Sequence, residues 1–122
     1  MLLAEVQQTL QAEVLCGKDL LEREVDTVCG ADLMSDVLAF AKDRTLLLTG
    51  LINIQVVRTA FLSDLVGIVF VRGKRPNSEI IEMAGQKGIP VMVSSYTMYE
   101  ACGRLYLNGV GGKCESGDSI GK

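Results

Sequence analysis

A chain of 122 residues is long enough to bury one hydrophobic core and too short for two, so a single domain is expected. Its 48% hydrophobic content and mean hydropathy of +0.30 exclude a largely disordered chain. A net charge of -3 and a pI near 4.9 exclude the basic surface that non-specific nucleic-acid binding needs.

The first ten residues place Leu2, Leu3, Val6 and Leu10 at near-helical spacing and leave Glu5, Gln7 and Gln8 for water, which predicts a short amphipathic helix. Nothing at this end combines a basic stretch with a long apolar core, so no signal peptide and a cytoplasmic location are expected. Glu13 to Cys16, closed by Gly17, reads as a strand, and Val25 to Gly30 reads as a second. The charged segment Lys18 to Glu24 between them is a connection or an edge strand. After Gly30, a helix is predicted to open at Ala31 or Asp32, with Leu33, Val37, Leu38, Phe40 and Ala41 on one broad face and Asp32 in its first turn, where its charge favours the dipole.

From Thr45 the alternation is regular: strand Thr45 to Thr49, helix Asn53 to Leu62, strand Val66 to Val71, helix Ser78 to Gln86, strand Ile89 to Val93, helix Thr97 to Leu107. Short apolar runs separated by helical stretches imply parallel pairing through right-handed crossovers. Gly85 and Gly88 are expected to end the helix before Pro90, a residue that a strand tolerates at its start. The predicted fold class is therefore α/β: a three-layer single domain with a mostly parallel sheet of about four to six strands and helices on both faces. The domain is expected over residues 1–107, and the glycine-rich residues 108–122 are expected to form a flexible tail. The longest apolar run, Val66 to Val71, is far shorter than the roughly 20 residues of a membrane span, so no membrane partner is expected.

Ligands of open parallel sheets bind outside the carboxyl ends of the strands, where three turns of this chain converge. Thr49 and Gly50 supply a hydroxyl and a turn with free amides, Asn53 caps the helix that follows, Arg72, Lys74 and Arg75 supply cations, and Ser94, Ser95 and Thr97 supply hydroxyls. Together these suit a small anionic ligand such as a nucleotide, held by helix-terminal amides and charge-assisted bonds. The same residues also serve ordinary capping chemistry on a solvated surface, and that alternative stands beside the first.

Catalytic signals are few. The chain has no histidine, which removes the commonest general base, and Leu107 and Cys114 stand where a Walker loop around Gly112-Lys113 needs glycine and Ser/Thr. Asp32 and Asp36, one helical turn apart, could share a metal or a proton, but this spacing more often makes a cap and a solvated face. Cys16, Cys29, Cys102 and Cys114 form no Cys-x-x-Cys pair, so free thiols, with no metal and no cofactor, are expected. Met34, Met83, Met92 and Met98 read as core filler.

The run Val28-Cys29-Gly30-Ala31-Asp32-Leu33-Met34-Ser35-Asp36-Val37-Leu38-Ala39-Phe40, with Leu47-Leu48-Thr49-Gly50-Leu51 and Ile89-Pro90-Val91, resembles the DRTGG domain family over about residues 1 to 107. Asp43-Arg44-Thr45 spells the first letters of that name but continues as Leu46-Leu47, so no binding residue is carried over. The resemblance implies a small α/β domain similar to the N-terminal domain of HPr kinase/phosphorylase, without the kinase domain. It also implies a regulatory or assembly role, as for related domains in some phosphotransacetylases and in pyrophosphatases with CBS domains. Stand-alone relatives accompany iron hydrogenase or related redox subunits, which makes such subunits the implied partners. A non-catalytic regulatory or assembly module is thus expected, with a purely structural accessory subunit of a redox complex as the alternative. A symmetric homodimer is expected as well, because a chain this apolar has more helix surface than a three-layer fold of its length covers.

Overall fold

The structure, a computed structural model, describes residues 1–110. In chain order it contains α1 (Leu3–Leu10), β1 (Glu13–Cys16), β2 (Thr27–Gly30), α2 (Met34–Phe40), β3 (Thr45–Thr49), α3 (Ile54–Leu62), β4 (Gly67–Phe70), α4 (Ser78–Gln86), β5 (Val91–Val93) and α5 (Met98–Leu107). The strands form one sheet in the order β1-β5-β4-β3-β2. β2 to β5 are mutually parallel, while β1 joins β5 antiparallel with a register irregularity between Val14 and Cys16.

Side-chain alternation divides the core into two layers. Leu46, Leu48, Val69, Val71 and Met92 point to the face covered by α1 and α5, where they meet Leu3, Val6, Leu10, Ala101 and Leu105. Leu47, Ile68, Phe70, Val91 and Val93 point to the opposite face, against α2, α3 and α4. Burial on both faces is why these strands are continuous apolar runs rather than alternating ones. The polar groups at the β2–β3 junction are satisfied within it: the buried hydroxyls of Thr27 and Thr45 stand 2.7 Å apart.

Local chemistry sets the helix ends. Asn53, Asn77 and Thr97 each precede a helix and accept from the backbone N–H three residues on, at 3.3, 3.0 and 3.2 Å, as N-caps do. At α1, Glu5 reaches back to the Leu2 N–H at 2.7 Å. α3, α4 and α5 thus begin at or one residue inside their expected starts.

Several expectations change. The segment Lys18 to Glu24 is a connection with a 3-10 turn at Lys18–Leu20, tied to α1 by the Leu3 and Ala4 N–H groups. α2 opens at Met34 rather than Ala31 or Asp32, and Leu33 is its N-cap residue. Asp32 is therefore outside the first turn, and its carboxylate is engaged elsewhere. Gly85 lies within α4, and Gly88, with φ 70°, is the glycine that follows its end. The chain also stays docked past residue 108: Val110 is 5% exposed, joins the α1/α5 cluster and donates its N–H to Leu105 at 3.1 Å. A tail beginning at 108 fails there because a single apolar residue beyond the last turn finds the open end of that cluster. The rest of the expected tail, with Cys114, lies outside the described residues. Among those described, no helix is long and apolar enough to cross a membrane.

Candidate functional site

Parallel pairing of β2, β3 and β4 aligns their carboxyl ends, and the first turn of α5 closes over them. Between them lies an open crevice of about 460 Å³ with Gly30, Asp32, Gly50, Arg72, Thr97 and Tyr99 in its walls.

The floor is a hydrogen-bonded unit built around Asp32. Its Oδ1 accepts from the Gly50 N–H at 2.8 Å and from the Thr49 hydroxyl at 3.0 Å, and the Thr49 oxygen accepts from the Leu51 N–H at 3.1 Å. The amide and hydroxyl that suit an anion thus already hold one, the protein's own carboxylate. Thr49 is fully buried, so this bonding is what makes its hydroxyl tolerable there.

Arg72 forms the opposite wall. Its backbone has φ 60°, a left-handed conformation uncommon for a residue with a side chain. Two bonds hold it: the Arg72 N–H donates to Tyr96 O at 2.7 Å and the Gly73 N–H to Ser94 O at 2.8 Å. This lays the guanidinium across Gly50, where an added Cβ would stand 2.7 Å from one terminal nitrogen. Gly50 does not have a positive φ. Its lack of a side chain makes room for Arg72. Gly30 plays a similar part on the other side, since a Cβ there would crowd Cys102 Sγ at 3.0 Å and Met98 Sδ at 3.1 Å on α5. Among the described residues, the Arg72 side chain has no ion pair and no hydrogen bond.

Of the residues singled out from the sequence, Gly50, Arg72 and Thr97 line the crevice, with Thr49 directly behind the floor. Lys74 and Ser95 are exposed and outside its walls. Arg75 is drawn away by Glu13 of β1, with its two terminal nitrogens 2.7 and 3.3 Å from the two carboxylate oxygens; this guanidinium holds the Glu13 carboxyl below its usual range. Ser94 is fully buried and donates to Leu10 O at 2.8 Å, fastening the end of α1 to the end of β5. Sequence reasoning did not place Asp32 or Tyr99 in the site. Tyr99 carried a signal, an aromatic residue two positions after a helix cap in a hydroxyl-rich turn, whereas the reach of Asp32 to Gly50 depends on the β2–β3 pairing.

The thiols are poorly suited to nucleophilic chemistry. Burial pushes Cys16, Cys29 and Cys102 above the ordinary thiol range, with Asp36 and Cys102 adding to the effect at Cys29. All three are free, and among the described residues no group of three or more Cys, Asp or Glu side chains could hold a metal ion.

A three-layer α/β domain with an open crevice at the carboxyl edge of its parallel strands is the class that this geometry defines. The chain belongs to the DRTGG domain family, whose profile matches residues 5–107. Among solved structures it is similar to the CBS and DRTGG domains of the regulatory region of Clostridium perfringens pyrophosphatase, determined in complex with the activator diadenosine tetraphosphate. The TM-score is 0.68 at 19% identity, over 81% of this chain and 43% of that one, a likeness of fold. Comparison with curated proteins gives no match.

Proposed function

We propose that this domain is a non-catalytic regulatory module that binds a small anionic ligand of the nucleotide class in the crevice between Asp32, Gly50, Arg72 and Tyr99. The observation that carries this reading is Arg72: a cation held on a left-handed backbone, fitted against a buried glycine, with no carboxylate of the described residues paired to it. A phosphate would pair with that guanidinium and take the free amides at the start of α5, the ring of Tyr99 would offer a face to a base, and the second oxygen of Asp32 would accept from a sugar hydroxyl or an amino group. The likeness to a regulatory region crystallised with a dinucleoside polyphosphate supports the ligand class. Raised thiol pKa values and the absence of histidine support a role without catalysis.

Calorimetric titration with ATP, AMP, diadenosine tetraphosphate and acetyl phosphate tests the reading. At least one is expected to bind, and Arg72→Ala to weaken it by about 10- to 150-fold, the equivalent of one charged hydrogen bond of about 1.5–3 kcal/mol. No heat from any of the four at millimolar concentration would sink the reading.

A second reading, an accessory subunit docked on a redox enzyme, is favoured by the exposed Phe40, Phe61 and Leu62 at the C-terminal ends of α2 and α3. Co-purification with a hydrogenase-type subunit that is lost on Phe40→Glu with Leu62→Glu is its expected signature.

A further inference from the structure

A surface helix normally carries one apolar stripe, and α5 carries two. The first, Met98, Ala101 and Leu105, packs on the sheet and α1. The second, Tyr99, Gly103 and Tyr106, recurs at positions i, i+4 and i+7 and faces outward, with Tyr99 89%, Tyr106 70% and the adjoining Leu107 86% exposed, while Cys102 at its margin is half-buried against the core. At its centre is Gly103, where an added Cβ would meet nothing within 4 Å. The described residues therefore give no reason for glycine at 103, a choice that costs a helix about 1 kcal/mol relative to alanine. Close approach of a second helix gives one.

We infer that this stripe is a self-association surface on which α5 packs antiparallel against α5 of a second copy, with Gly103 facing Gly103 across the two-fold axis. A symmetric crossing centred there sets Tyr99 of one copy beside Leu107 of the other, so the groove between Tyr99 and Tyr106 on each helix is filled by its mate. Charge favours a like partner. The chain bears a net charge of -3, yet among the described residues this flank carries only Glu100 and Arg104, neutralised by their own 2.9 Å pair, so two copies meet here without repulsion. Two tyrosines and a leucine bury about 500 Å² on each copy, roughly 1,000 Å² in all, the lower bound for a specific interface. The dimer is accordingly weak and concentration-dependent. Tyr99 belongs to both the groove and the crevice. This part rests on the ligand reading above: a ligand seated against Tyr99 would find that ring fixed from its far side in the dimer, which couples binding to self-association.

Sedimentation of the full chain across a concentration series tests the surface. The wild type is expected to pass from monomer to dimer at micromolar concentrations, and Tyr106→Glu to raise the dissociation constant at least tenfold with an unchanged circular dichroism spectrum. Phe40→Glu with Leu62→Glu, on the opposite layer, should leave it unaltered. In a Cys102→Ser, Cys114→Ser background, Gly103→Cys should form an intermolecular disulfide on mild oxidation. A monomer at all concentrations, a dimer insensitive to Tyr106→Glu, or no disulfide at 103 overturns the assignment whether or not ATP binds. A chain silent to ATP, AMP, diadenosine tetraphosphate and acetyl phosphate that still dimerises through α5 overturns the ligand reading alone.

Discussion

At the scale of single residues, Asp32 and Arg72 stand on opposite walls of one crevice and differ in what they do for the fold. Asp32 satisfies a buried hydroxyl and a buried amide at once. Asp32→Ala should cost on the order of 2–3 kcal/mol, because bonds to a charged acceptor are lost and the donors stay buried. It also empties an anion position, so sulfate at tens of millimolar should restore part of the lost thermal stability, and the wild type should show no such gain. Asp32→Asn, which keeps one acceptor oxygen, should fall between the two in a thermal melt. Arg72 has the opposite signature. Its guanidinium is exposed and its φ of 60° is strained for any residue but glycine. Arg72→Gly should therefore hold or raise stability by up to about 1 kcal/mol while weakening nucleotide binding about as much as Arg72→Ala does. Gly50→Ala should do something similar for a different reason, since its new methyl meets only the far end of the flexible Arg72 side chain and displaces it.

At the scale of elements, what could be read in advance was whatever lies within a few residues of its cause. β3, β4 and β5 were legible because strands buried on both faces are continuous apolar runs, and α3, α4 and α5 because an Asn or Thr cap sits directly before each. The antiparallel placement of β1 beside β5 was not legible, since its partner is some 80 positions away and no local residue encodes it. Of the site, the three turns were visible but not their directions: Arg75 leaves for Glu13, Ser94 for Leu10, and Asp32 arrives from the β2–α2 connection. The docked Val110 was missed because glycines surround it in sequence while α1 and α5 surround it in space. Val110→Ala should lower stability by about 1.5–2.5 kcal/mol, for two buried methyl-sized groups and the space they leave. A chain ending at Asn108 should lose at least as much in urea denaturation, the reverse of what composition alone suggests.

At the scale of the whole molecule, the placement of titratable groups fixes how stability depends on pH. On the acid side, Glu13 is held below the usual carboxylate range by Arg75, so its contribution is present above the unfolded carboxylate pKa and is lost as pH falls through the folded one. Both partners of that pair are more than half exposed, so it is small and salt-sensitive. On the alkaline side the sign reverses. Cys16, Cys29 and Cys102 are pushed above the ordinary thiol range by burial, so the folded chain keeps protons that the unfolded chain has already released. Their contribution is whole below the unfolded thiol pKa of about 8.5 and declines as pH rises from there toward the folded values. The urea midpoint should thus be flat between about pH 6 and 8 and fall above that window. Replacing Cys16, Cys29 and Cys102 with Ala should flatten the alkaline fall even though it lowers the plateau, because the smaller side chain packs less well but cannot ionise. An alkaline slope unchanged in that triple variant would show that tyrosines and lysines cause it, and that burial of the thiols does not govern their ionisation.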